Sequence, residues 1–219
     1  MRRLLIASLV FAGLGVPAAA RAESPPRMEG VAMTTARSPR PVQAEFSSTM
    51  RRLWEGQTTF TRNFIISSLA GLGDADSIAL RLLKNQDDIG NAIKPFYGAA
   101  AGDRLAVLLR DHIMIAADVV KAVRDRDADA LAARQLAWAA NADAIAAFFV
   151  EVNPAWSRST LTSMLRRHLE LTTLEMAARM KRDWSADIAA YDQSHQHMVR
   201  LADVLTEGVV KQHRRRFVR

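Results

Sequence analysis

His112, His168 and His197 are the residues best placed to do chemistry, because each interrupts an otherwise apolar stripe with helical spacing. Asn141 breaks a fourth stripe in the same way, and Gln57 and Asn85 break two more nearer the start of the chain. The positions keep a register: Asn85, Asn141 and His197 recur at about 56 residues, as do His112 and His168. A buried imidazole or amide without a partner costs about 1–3 kcal/mol, so such a layer must be hydrogen-bonded, hydrated or bound to a ligand.

Two chemistries follow. In the first, Gln57, Asn85, His112, Asn141, His168 and His197 form a structural polar layer that fixes helix register, as a buried Asn does in a coiled coil. In the second, His112, His168 and His197, with Glu175 two turns beyond His168, hold a transition metal such as zinc, copper or iron. Met114, Met164, Met176, Met180 and Met198 extend that idea to thioether-ligated copper, and His195 is an alternative to His197 if the register slips. Against a metal, Asn and Gln are poor transition-metal ligands, and neither Glu-x-x-His pairs nor HExxH occur.

The elements that position these residues are helices. Leu53, Gln57, Phe60 and Phe64 open the first, Gly71–Asp74 turns the chain with Asp74 as a capping acid, and Ile78, Leu82, Asn85 and Ile89 mark the return. A second pair starts near Gly102–Asp103, with Asp103 as cap, turns at Arg124–Asp127 and ends at Asn153–Pro154. The third starts at Ser157 as N-cap and turns at Lys181–Ser185. The expected fold is all-α: a six-helix bundle of three repeated hairpins of about 56 residues. Gln57 with Asn85, His112 with Asn141 and His168 with His197 are equidistant from their turns, so each should pair across its hairpin.

Around this domain, expected over 51–212, the composition changes. Arg2, Arg3, the apolar run Leu4–Val16 and Ala20-Arg-Ala22 read as a cleavable signal peptide over 1–22, which implies a periplasmic or secreted protein. Residues 23–50 are rich in Pro, Arg and Ser and read as a flexible leader, and 213–219 as a solvated basic tail. The net charge of +7 sits mostly at the two ends and leaves a slightly acidic body, which argues against nucleic acid. The tail suits an anionic membrane surface.

The chain has no cysteine, so disulfides and thiolate chemistry are excluded. No phosphate loop, GxGxxG or Gly-x-Ser-x-Gly elbow occurs, which points away from an enzyme. At the end of the bundle opposite the hairpin turns, Phe96, Tyr97, Asn153 and Trp156 sit beside proline stops and form either a binding rim or a hydrophobic plug. A protein partner, a small ligand or a second copy of the chain on leftover apolar faces are the expected binding modes.

Leu53-Trp-Glu with Thr61-Arg62, Pro95-Phe-Tyr-Gly98, Trp138-Ala-Ala-Asn-Ala-Asp143, Asn153-Pro-Ala-Trp156 and Ala202-Asp-Val-Leu-Thr-Glu-Gly208 resemble a family of small, largely uncharacterised bacterial helical proteins. The resemblance covers about residues 50–212. Members are sometimes labelled acetylglutamate kinase or glycosyltransferase, and no motif here supports either activity. The family pattern has histidines where this chain has Gln57 and Arg166, so the resemblance implies one helical domain with a depleted histidine layer.

Overall fold

The computed structural model describes residues 41–218. The expected signal peptide and residues 23–40 of the leader lie outside them. Six helices follow in order: α1 Pro41–Ala70, α2 Ala75–Tyr97, α3 Ala99–Asp125, α4 Ala128–Val152, α5 Arg158–Met180 and α6 Trp184–Gln212. A 3-10 turn, Arg214–Phe217, ends the series, and no strand occurs among the described residues. No helix among them is long and apolar enough to cross a membrane.

Two boundaries differ from the sequence expectation. α1 begins at Pro41, ten residues inside the supposed leader. Its first described turns carry Phe46 and Met50, which pack into the core. The basic tail is not free either: Phe217 is only 3% exposed and stacks on Phe96 at 5.5 Å, which docks the turn against the bundle. Burying one aromatic ring, worth about 1.5–3 kcal/mol, favours this docking while its arginine neighbours stay exposed, Arg216 also donating to Pro95 O.

Three turns share one geometry. Gly71, Arg126 and Arg182 are left-handed, with φ of 67°, 57° and 58°. The next amide donates five residues back in each: Leu72 to Ser67 O, Asp127 to Ala122 O and Asp183 to Ala178 O, at 2.9–3.0 Å. This is the Schellman closure, which satisfies carbonyls that a helix end leaves open. Asp127 and Asp183 then cap α4 and α6 by accepting from Ala130 N and Ala186 N. Asp74 stands at the equivalent position before α2 without a side-chain capping bond, contrary to expectation.

The other junctions are tighter. α2 runs through Pro95 to Tyr97, and Gly98, at φ 85°, reverses the chain alone, so α3 starts before Asp103. Asp103 pairs with Lys94 at 2.6 Å instead of capping. Gly90 and Gly102 let these two helices touch: a Cβ on Gly90 would lie 2.5 Å from Gly102 O. Ser157 caps α5 as expected, through Thr160 N.

Each helix packs on its sequence neighbours, and α6 returns to α1 to close a ring. α1, α3 and α5 also touch one another, so these three meet near the axis while α2, α4 and α6 each bridge two of them. Gln57, His112 and His168 all belong to the axial helices. That shared origin brings the polar layer into the interior, among Trp54, Ile65, Trp138, Ile145 and Leu165.

Candidate functional site

The polar layer is where the residue types predicted chemistry, and its geometry decides which kind. His112 is buried on α3. Its Nδ1 lies 2.7 Å from Asn141 Oδ1, and its Nε2 lies 3.0 Å from Trp138 Nε1. An indole N–H can only donate, so Nε2 accepts and the ring proton sits on Nδ1, donated to Asn141. Both nitrogens are thereby used. Burial holds the imidazole down to about 4, against a small opposing pull from the Asn141 bond, so it is neutral at physiological pH.

Asn141 also donates from Nδ2 to Leu108 O at 3.1 Å, one turn before His112 on α3. The same bond recurs on either side. Asn85 Nδ2 donates to Leu53 O at 3.0 Å, and His197 Nε2 donates to Met164 O at 2.7 Å. In each case a polar side chain of the returning helix reaches the carbonyl four residues before Gln57, His112 or His168.

The expected pairing across each hairpin holds for His112 with Asn141 and fails for His168 with His197. A backbone carbonyl within reach is a fixed acceptor, and His197 takes it. His168 instead stacks on His112 at 5.9 Å, and burial together with the neighbouring His112 and His197 pushes it down to about 3. Its Nδ1 and Thr61 Oγ1 make no hydrogen bond among the described residues. Both side chains line an internal cavity of about 20 Å³, which also takes in Thr172, Trp138 and Met176 and is about the size of one water.

The four expected metal ligands do not form a set. His112 has no lone pair to spare, and His197 commits its Nε2 to Met164 O. Glu175 faces a different cluster. Among the described residues no three His, Cys, Asp or Glu side chains come together as a cation would require. Met114 is 57% exposed, far from a thioether ligand inside the layer. His195 lies outside it too, 3.6 Å from Glu55.

Glu175 belongs to a buried ion cluster between α1, α5 and α6. Arg62 donates to Glu175 at 2.7 Å and to both oxygens of Asp187 at 3.0 and 3.1 Å, and Arg179 donates to Asp187 at 3.0 Å. Tyr191 covers the Arg62 guanidinium, 4.6 Å away. Burial outweighs the attraction of Arg62 and raises Glu175 to about 7. Sequence periodicity missed Arg62, Arg179 and Asp187. The one available signal was Glu175, a carboxylate on an apolar stripe, which demands a cation from another helix.

The residues of the aromatic end pack on one another. Asn153 is fully buried and donates to Tyr97 Oη at 3.0 Å and to Gly208 O at 2.9 Å. Trp156 donates to Val204 O, and Phe96 packs against Phe46, His213 and Phe217. Burial pushes Tyr97 up to about 12. His213, expected in a solvated tail, is wedged between the Phe96 and Tyr97 rings and held below its usual range by burial.

A roomy concavity lies elsewhere: a cleft of about 830 Å³ between the first half of α1 and the last turns of α6, lined in part by Arg51, Arg52, Asp203, Thr206, Glu207 and Lys211. Nothing in the hydrophobic pattern marks it, because it forms on the polar edges of two helices joined only by folding.

Replacing Asn141 by alanine should destabilise the fold by about 1–3 kcal/mol, since it leaves the buried His112 Nδ1–H without a partner and removes the second bond to Leu108 O, which keeps its helical one. Urea denaturation of the purified variant checks this, and a change under 0.5 kcal/mol would contradict the assigned bonds. Compared with protein-family models, with curated proteins and with solved structures, the chain matches none.

Proposed function

We infer that this is an exported, non-enzymatic binding protein built from three hairpins repeated at about 56 residues, whose His/Asn layer is structural and whose binding surface is external. The observation that carries the reading is the saturation of His112 by Asn141 and Trp138, which leaves no free imidazole lone pair at that ring. Support for the repeat comes from the recurring bonds of Asn85, Asn141 and His197 to a backbone carbonyl, and from the equivalent left-handed residues Gly71, Arg126 and Arg182. A register-fixing role follows, because sliding either helix by one residue would break every such bond at once.

Export rests on the charged, apolar and small-x-small pattern of residues 1–22. A binding role rests on the cleft between α1 and α6, a roomy site in which Arg52, Lys211 and Arg214 make no ion pair among the described residues. Elemental analysis of the protein purified from its native periplasm, beside a His112→Ala/His168→Ala variant, tests the reading. The expected result is no near-stoichiometric metal in either protein. Metal in the parent that disappears from a still-folded variant would overturn it in favour of zinc, copper or iron binding.

A further inference from the structure

The cleft between α1 and α6 carries more charge than its helices consume. Arg51 is engaged by Asp203 through two bonds of 2.6 and 2.9 Å, and Glu55 faces His195. Arg52, Lys211 and Arg214 line the same cleft, are exposed, and make no ion pair among the described residues. Against them stand Glu207, without an ion pair among the described residues, and Glu55, whose neighbour His195 is a counter-charge only when protonated, so three unspent cations face two carboxylates and the balance stays positive.

At the bottom lies a second, independent feature. Thr206 is 4% exposed, lines the cleft, and its Oγ1 has no hydrogen-bond partner among the described residues. A threonine hydroxyl in a helix commonly bonds the carbonyl four residues back, as Thr58, Thr172 and Thr173 do here. Thr206 departs from that habit. A buried O–H without a partner among the described residues, in the wall of a cleft that also holds three unspent cations, is a donor set that suits an oxyanion.

We propose that this cleft binds an anionic group, a phosphate or phosphate ester, held by Arg52, Lys211 and Arg214 and hydrogen-bonded by the Thr206 hydroxyl. The volume of about 830 Å³ falls within the range of small-molecule sites. Docking of Phe217 fixes Arg214 at the rim rather than leaving it on a loose end. The same chemistry is offered by a soluble phosphate ester or by an anionic lipid headgroup, and the experiment separates them.

The inference rests on the binding reading above and names its ligand. Metal analysis decides that reading, whereas the titrations below decide only the ligand. The protein purified from its native periplasm is titrated with inorganic phosphate by calorimetry and sedimented with phosphatidylglycerol or phosphatidylcholine vesicles. Thr206→Val removes the hydroxyl at nearly constant shape and should weaken binding about tenfold. Arg52→Ala/Lys211→Ala should abolish it, while Arg158→Ala/Lys181→Ala, which removes the same charge elsewhere, should leave it intact.

Phosphate heat with this variant pattern and no vesicle binding identifies a soluble ligand. The same pattern on phosphatidylglycerol vesicles alone identifies a headgroup. Absence of both, or equal weakening by the two double variants, would overturn the site. Circular dichroism of each variant confirms that the helices persist.

Discussion

Gly208→Ala is expected to destabilise the protein by about 3 kcal/mol or more, although alanine is ordinarily the better helix residue by about 1 kcal/mol. The reversal of sign comes from one contact. A Cβ on Gly208 would lie 1.8 Å from Trp156 Nε1 and 2.4 Å from its Cε2. Trp156 cannot swing aside. Its ring is buried, packs on Phe149 at 5.3 Å, and donates to Val204 O at 3.1 Å. Moving α6 instead would break the Asn153 bond to Gly208 O, and Asn153 also holds Tyr97.

Either relaxation leaves buried polar groups unpaired, each at a cost of about 1–3 kcal/mol. Urea denaturation followed by far-ultraviolet circular dichroism measures the loss. A Trp156→Ala background should abolish it, because the clash then has no partner, and the coupling in that double-mutant cycle is the quantity of interest. A Gly208→Ala protein as stable as the parent would contradict the packing of α6 on Trp156.

The second large effect is electrostatic and concerns acid. His112 and His168 are held down to about 4 and 3 in the native protein, against 6.5 when unfolded. As pH falls below 6.5 the unfolded chain takes up these two protons and the native one does not, so both histidines remove stability. Glu175 works in the opposite sense. Its native value of about 7 exceeds the unfolded 4.5, so the native state gains its proton first, and stability rises as pH falls from 7 to 4.5.

Between pH 6.5 and 4.5 two protons therefore favour the unfolded state and one favours the native. The parent should lose about 1.4 kcal/mol per pH unit from these three groups. Glu175→Gln deletes the compensating carboxyl, and the loss should steepen to about twice that slope. His197, which is also held below its usual value, adds to both slopes alike and leaves their difference unchanged. Denaturation midpoints of parent and variant at pH 5 and pH 6.5 provide the comparison. Parallel slopes would show that Glu175 is not protonated inside the Arg62 cluster.

These two predictions mark different kinds of dependence on the fold. Acid sensitivity originates in residues that helical periodicity exposes, since His112 and His168 stand on apolar stripes and must be buried wherever the helices pack. The glycine effect originates in a contact between residues 52 positions apart, Trp156 and Gly208, which no local pattern encodes.

By itself the sequence determined the helices, the three turns about Gly71, Arg126 and Arg182, the Ser157 cap, and the pairing of His112 with Asn141. These depend on the 3.6-residue period, on capping chemistry and on distance from a turn, all of which are local. Its blind spots were also local in cause. The start of α1 at Pro41 was hidden because Phe46 and Met50 are sparse among polar residues, and the docking of the tail rested on Phe217 alone.

Only tertiary structure decided which helices lie on the axis, and with that the fate of each polar group. Trp138 became the donor that saturates His112, His197 found Met164 O rather than His168, and Arg62 of α1 became the counter-ion of Glu175 and Asp187. A hydrogen bond or an ion pair is made with whichever partner folding brings within about 3 Å. Helical period states which face a side chain occupies and not what will stand opposite it, and the cleft at Thr206 exists only because α6 closes the ring against α1.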